Sequence, residues 1–147
     1  MIKRFGESVN LEKKYKHRPG VYAILWDSKD LLVTYQDSPH EEMQLPGGGV
    51  DSGEHLLHAL HREVLEETGW SISQPKKIGV YRRFAYLPDY RIWAEKVCHI
   101  YFARPLIKRS LPLEMGHSAV WMSPLDASRE LANDGDKDFI QRYFRLK

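Results

Sequence analysis

Glu63, Glu66 and Glu67 stand three and four positions apart just before Gly69, and this spacing constrains the chain more than any other feature. On a helix, residues so spaced project from one face and repel one another by roughly 0.2–0.5 kcal/mol per pair. They also crowd the last turn, because a glycine there is a natural left-handed stop. The carbonyl end of the helix dipole disfavours each anion by about 0.3–1 kcal/mol. Local rules are thus broken twice at one spot, as expected where function compensates: a bound divalent cation turns the repulsion into shared attraction. At about 100° per residue, Leu56, Leu57, Leu60 and Val64 form an apolar arc with the glutamates on the arc beside it. His55, His58, His61 and Arg62 fall on the other side, and the three histidines are too spread to converge on a metal.

The 147 residues, 42% of them hydrophobic, suit one globular domain spanning 1–147. A formal charge of +2 is too small for bulk nucleic-acid binding, although Lys13-Lys14-Lys16-Arg18, Lys76-Lys77 and Arg82-Arg83 could meet a polyphosphate. The lone Cys98 cannot form an internal disulfide, which fits a reducing compartment. With neither a signal-peptide run nor an apolar stretch of about 20 residues, the protein is expected in the cytoplasm, without a membrane partner.

Val21 to Trp26 and Leu31 to Gln36 read as a hairpin turned by Asp27 to Asp30. Met43 to Leu45 is a short apolar stretch, followed by Pro46 and a Gly47 to Gly49 loop. The next helix is expected from about Gly53 to Thr68, capped by Asp51 or Ser52. Ile78 to Ala85, Arg91 to Arg104 and Ala119 to Met122 read as strands. Ser123-Pro124-Leu125-Asp126 starts a helix that Asn133 to Asp136 should end, and Lys137 to Leu146 should form a last one. This order indicates a mixed sheet sandwiched by helices, an α/β fold.

Gly48 to Trp70 reads GGVDSGEHLLHALHREVLEETGW. It places Gly48, Glu54, Arg62, Glu63, Glu66, Glu67 and Gly69 at the spacing of the Nudix box, which it resembles. The resemblance implies an α/β/α sandwich with a mixed β-sheet. It also implies a hydrolase that cuts a phosphoanhydride bond of a nucleoside diphosphate derivative with water and a divalent metal, Mg2+ or Mn2+. The physical reason is charge: cations must neutralise the diphosphate and acidify the bound water before a hydroxide-like nucleophile can approach. Hard carboxylate oxygens suit such ions better than zinc.

Carried over by position, the family pattern makes Glu63 and Glu67 the main metal ligands, with Glu66 a further one, direct or through water. Gly47 would add its carbonyl oxygen. Arg62 is assigned to orientation, holding Glu54 or Glu63 in a fixed fork, and Glu54 then ties the loop to the helix. The general base stays open between Glu67, Glu66 and Glu114, a downstream glutamate preceding Trp121. Trp70 replaces the small aliphatic residue usual at the end of the box, a change expected to alter packing behind the helix only. Glu95 reads as a surface residue, and His99 and His117 as structural histidines, His117 lying near the candidate base. Tyr86 and Tyr90 are candidates for stacking on a nucleobase.

Substrate choice lies outside the box, so nucleoside triphosphates, oxidised nucleotides, nucleotide sugars and ADP-ribose remain open. The alternatives are a nucleotide-binding sensor without turnover and an RNA 5′-end pyrophosphohydrolase, the one nucleic-acid partner considered. Dimerisation is common in the family, and a homodimer is open for this chain.

Overall fold

The computed structural model describes residues 2–38 and 40–146. In chain order the elements are β1 (Lys3–Gly6), β2 (Tyr15–Trp26), β3 (Leu31–Gln36), β4 (Glu42–Gln44), β5 (Gly47–Gly49) and α1 (Leu56–Thr68). There follow β6 (Trp70–Ile72), β7 (Lys76–Leu87), β8 (Ile92–Ala103), β9 (Pro105–Lys108), β10 (His117–Met122), α2 (Pro124–Glu130) and α3 (Asp134–Tyr143).

The main sheet runs β1-β7-β8-β2-β3-β10, with β4 paired to β3 and β5 to β2. It is mixed, because β1 with β7 and β2 with β8 run parallel while the other pairs are antiparallel. Alternation along β2 explains the layers. Val21, Ala23 and Leu25 point to one side and pack with Ala59, Leu60 and Val64 of α1. Ile24, with Tyr22 and Trp26 beside it, points to the other and packs with Ala127 of α2, Leu131, and Phe139 and Ile140 of α3. Burying a side chain such as Leu60 or Val64 contributes about 1.5–3 kcal/mol. The result is the expected α/β/α sandwich.

Several boundaries differ from the sequence reading. α1 begins at Leu56, not Gly53, and its cap is His55, whose Nδ1 accepts from the Leu57 amide at 3.2 Å. Asp51 and Glu54 hold each other in a turn outside the helix: the Glu54 amide donates to the Asp51 carbonyl at 2.9 Å, and the Asp51 amide to Glu54 Oε1 at 3.0 Å. Gly47–Gly49 is a strand rather than a loop, drawn onto β2 by pairing with Tyr22, Val21 and Gly20. Asn133 caps α3 instead of ending α2, accepting from the Gly135 amide at 2.9 Å. The last helix therefore starts at Asp134 and stops at Tyr143. Ser123 caps α2 with Pro124 in the first turn, as expected.

Candidate active site

The carboxylates meet where the end of α1 abuts β5. Gly69 ends the helix in the left-handed conformation, φ 79°, with its amide bonded to the Leu65 carbonyl at 2.9 Å. The last carbonyls of a helix have no partner within it, and here the segment before β10 supplies them. The amides of Leu113 and Glu114 donate to the Glu66 carbonyl at 2.8 and 2.9 Å, and those of Arg109 and Ser110 to the Gly69 carbonyl at 2.7 and 3.2 Å. This lacing delivers Glu114 to the helix glutamates. Oxygens of Glu63, Glu66 and Glu114 lie within 4.8 Å of one another, as do ligand atoms of Glu67, Glu114 and His117.

β5 forms the facing wall. The Gly47 amide donates to Glu67 Oε1 at 3.0 Å, and a Cβ on Gly48 would lie 2.6 Å from the Glu63 carboxylate carbon. Any side chain at Gly48 would therefore displace Glu63. A Cβ on Gly47 would collide with the Val21 carbonyl oxygen across the strand pair.

Arg62 organises the outer half of the cluster. Its Nε and Nη2 grip both oxygens of Glu54 at 2.8 and 2.9 Å, while Nη1 reaches Glu63 at 3.0 Å and Glu66 at 3.3 Å. That two-pronged contact, helped by the Asp51 amide, holds the Glu54 carboxyl at about 2. Glu63 is pushed upward by burial, which the neighbouring Arg62 only partly counters. Glu67 is 5% exposed, and no lysine or arginine pairs with it among the described residues. Burial, reinforced by Glu63, Glu114 and Glu66 and opposed by the Gly47 amide, pushes its carboxyl up to about 9. A buried carboxylate without a lysine or arginine partner, converging with more exposed ones, is a donor set that fits a hard divalent cation.

Of the residues singled out from the sequence, the structure brings Gly47, Glu54, Arg62, Glu63, Glu66, Glu67 and Glu114 together. His117, read as structural, also belongs to the cluster. It lies 3.9 Å from both Glu67 and Glu114, with Nδ1 2.9 Å from the Thr34 hydroxyl. The Glu114-x-x-His117 spacing is the one sequence signal that marks it. Glu95 lies apart on β8, paired with Arg82 at 3.5 Å. His99 sits beside Lys77 at 2.8 Å, and His58 beside Glu54 at 2.9 Å. Trp70 packs edge-on against Trp121, centroids 5.6 Å apart. Cys98 is buried, which pushes its thiol up to about 11. No helix is long and apolar enough to cross a membrane among the described residues.

Known proteins resemble this chain in sequence or in fold. A protein of Bacillus subtilis (strain 168), provisionally described as an 8-oxo-dGTP diphosphatase, is 51% identical over 66 residues, 44% of this chain and 43% of its own length. An RNA pyrophosphohydrolase of Sulfurovum sp. (strain NBC37-1) is 36% identical over 64 residues, 40% of this chain and 41% of its own. The aligned region is thus under half the length of either relative. A solved NUDIX hydrolase from Nitrosomonas europaea superposes with a TM-score of 0.71 at 21% identity, over 88% of this chain and 90% of that one. A MutT NUDIX hydrolase from Burkholderia pseudomallei gives a TM-score of 0.71 at 19% identity, over 86% of this chain and 97% of that one. The family model of the NUDIX domain matches residues 16–143, from the start of β2 to the end of α3. With the box, the sandwich and the carboxylate cluster all within that span, the chain belongs to the NUDIX domain family.

Proposed function

We propose that this chain, one domain over residues 1–147, is a divalent-metal-dependent hydrolase acting in the cytoplasm. It cuts the phosphoanhydride bond of a nucleoside diphosphate derivative by attack of an activated water. The observation that carries the reading is the convergence of Glu63, Glu66, Glu67 and Glu114 against a glycine strand that lets Glu63 and Glu67 pack directly on its backbone.

Glu63 and Glu67 would hold the cation, with Glu66 and the Gly47 carbonyl oxygen as further ligands; magnesium or manganese fits these oxygens. When bound, the ion neutralises the diphosphate and lowers the pKa of the attacking water. The chain supplies the rest. Arg62 keeps Glu54, Glu63 and Glu66 in fixed orientations, so little reorganisation accompanies binding. Glu114 is the leading candidate to take the proton from the water, because its side chain is 46% exposed while Glu67 is enclosed. Glu66 and Glu67 share that candidacy. His117 lies between Glu67 and Glu114, 3.9 Å from each. As the water oxygen bonds to phosphorus, the anhydride P–O bond breaks and the leaving phosphate departs with its electron pair.

The named activities of the relatives support two substrate classes, an oxidised nucleoside triphosphate and a triphosphorylated RNA 5′ end. The test is magnesium-dependent product release from a panel of these, unmodified nucleoside triphosphates, dinucleoside polyphosphates, nucleotide sugars and ADP-ribose, with Glu67→Gln as control. Turnover lost in the variant is expected. A folded protein that binds nucleotide and releases no product from any of them would be a sensor, and the hydrolase reading would fall.

A further inference from the structure

A second set of charges faces the carboxylates across the cavity. This cavity, 350 Å³ in volume, is bordered by Glu67 and the Gly47–Gly49 strand at one end, and its floor is the sheet. Arg83 of β7 and Lys96 of β8 line it and stand directly opposite each other in the antiparallel register. Arg18 of β2 is the parallel partner of Lys96, so one row across three strands carries three cations on one face. The next row inward, Gly20, Cys98 and Tyr81, is closed by packing.

Like charges opposite one another weaken a sheet, and among the described residues this row is only partly offset, by the nearby Asp136. None of the three forms an ion pair with a carboxylate among the described residues. Arg18 Nε is buried without a hydrogen-bond partner, and its guanidinium lies over the Tyr90 ring at 5.0 Å. Asp136 also lines the cavity, but it is engaged by the Tyr81 hydroxyl at 2.8 Å and is one charge against three. The arrangement mirrors the acidic cluster: a conflict in the free protein that a ligand of opposite sign would resolve.

Neighbouring strands lie about 4.8 Å apart, which puts β8 about 10 Å and β7 about 14 Å across the sheet from β5. A nucleoside attached to a diphosphate held by the carboxylate-bound cation spans such a distance, and a phosphate on its ribose would come within reach of these side chains. We propose that Arg83 and Lys96, with Arg18 next to Lys96 in the same row, form a second anion subsite, for a phosphate that the substrate carries on its ribose, apart from the diphosphate that is cut. This rests on the hydrolase reading for the position of the diphosphate. Such a phosphate has two sources: a mononucleotide phosphorylated on a ribose hydroxyl, or the first internucleotide linkage of a 5′-phosphorylated oligonucleotide.

The test uses ligands without an anhydride bond, so that it does not depend on turnover. Calorimetry with magnesium compares a nucleoside 5′-monophosphate, the 3′,5′-bisphosphate and a 5′-phosphorylated dinucleotide on the full chain and on Lys96→Gln and Arg83→Gln. The second phosphate is expected to tighten binding about tenfold, the scale of one charge-assisted hydrogen bond. The advantage should shrink towards unity in either variant, so a folding failure in one leaves the other. A preference for the bisphosphate assigns the subsite to a mononucleotide, and a preference for the dinucleotide to an oligonucleotide end. Equal affinity for all three, or an advantage unchanged in both variants, overturns the subsite even if the hydrolysis panel is positive. Silence of that panel with the advantage intact removes the hydrolase reading and leaves the subsite standing.

Discussion

Glu67 concentrates the conflict between stability and chemistry at a single residue. Its carboxyl is enclosed, receives one amide hydrogen bond from Gly47, and is surrounded by other carboxylates. Glutamine keeps the shape and the acceptor for Gly47 while removing the charge. Glu67→Gln should therefore lose roughly 10² or more in kcat, the scale of a lost catalytic group, without lowering the melting temperature measured in chelator. Equal losses of activity and of chelator-state stability would mark Glu67 as a structural residue. Arg62 offers a second test at this scale. A lysine has one point charge in place of a fork, so Arg62→Lys should let the Glu54 carboxyl rise from about 2 towards its ordinary 4.5. An NMR titration of Glu54 unchanged in the variant would show that the fork is not what holds it.

Among the elements, the junction of α1 with the segment before β10 decides whether the site assembles. Gly69 is left-handed, and a Cβ there would collide with the Ser110 carbonyl oxygen. Gly69→Ala should cost at least about 1–2 kcal/mol from the conformation alone, and it should lower activity further by displacing the backbone that carries Glu114. Urea unfolding with turnover measured on the folded fraction separates the two effects. α3 makes a different prediction. Asp136, in its first turn, is buried against Tyr81, and burial raises its carboxyl from 3.8 to about 6 despite the Tyr81 hydroxyl, Lys96 and Arg83. A carboxyl raised on folding favours the folded state most below pH 4, and that contribution is lost as pH climbs to about 6. The difference in unfolding free energy between the native chain and Asp136→Asn should thus fall by about 3 kcal/mol across that window. A flat difference would contradict the burial argument.

The elements also show which signals the sequence carries. α1, β3 and α2 were legible because their apolar period or cap is local. β1, β6 and β9 were not: they are short and without clear alternation, β1 and β9 are largely exposed, and all three exist because a neighbour pairs with them. The first half of β2, Tyr15 to Pro19, is polar for the same reason, its strand character coming from β8.

For the whole molecule, the site is an assembly of segments distant in sequence: β5, the end of α1, the Glu114 segment and the start of β10. The box made the helix carboxylates readable, because their spacing is local. The contact of Glu114 and His117 with Glu67 depends on hydrogen bonds across the fold, which no local pattern encodes. A cation that bridges these segments must bind the folded chain and not the unfolded one, so it must also stabilise the fold. At one hundred times its dissociation constant the gain is about 2.7 kcal/mol, which for a chain of this size is a melting shift of roughly 10 °C. Magnesium should produce such a shift in the native protein and little of it in Glu67→Gln. Glu114→Gln discriminates further: if Glu114 acts as the base and not as a ligand, the shift survives while turnover falls. A melting temperature indifferent to magnesium at concentrations that calorimetry shows to be saturating would mean that the ion does not join the segments.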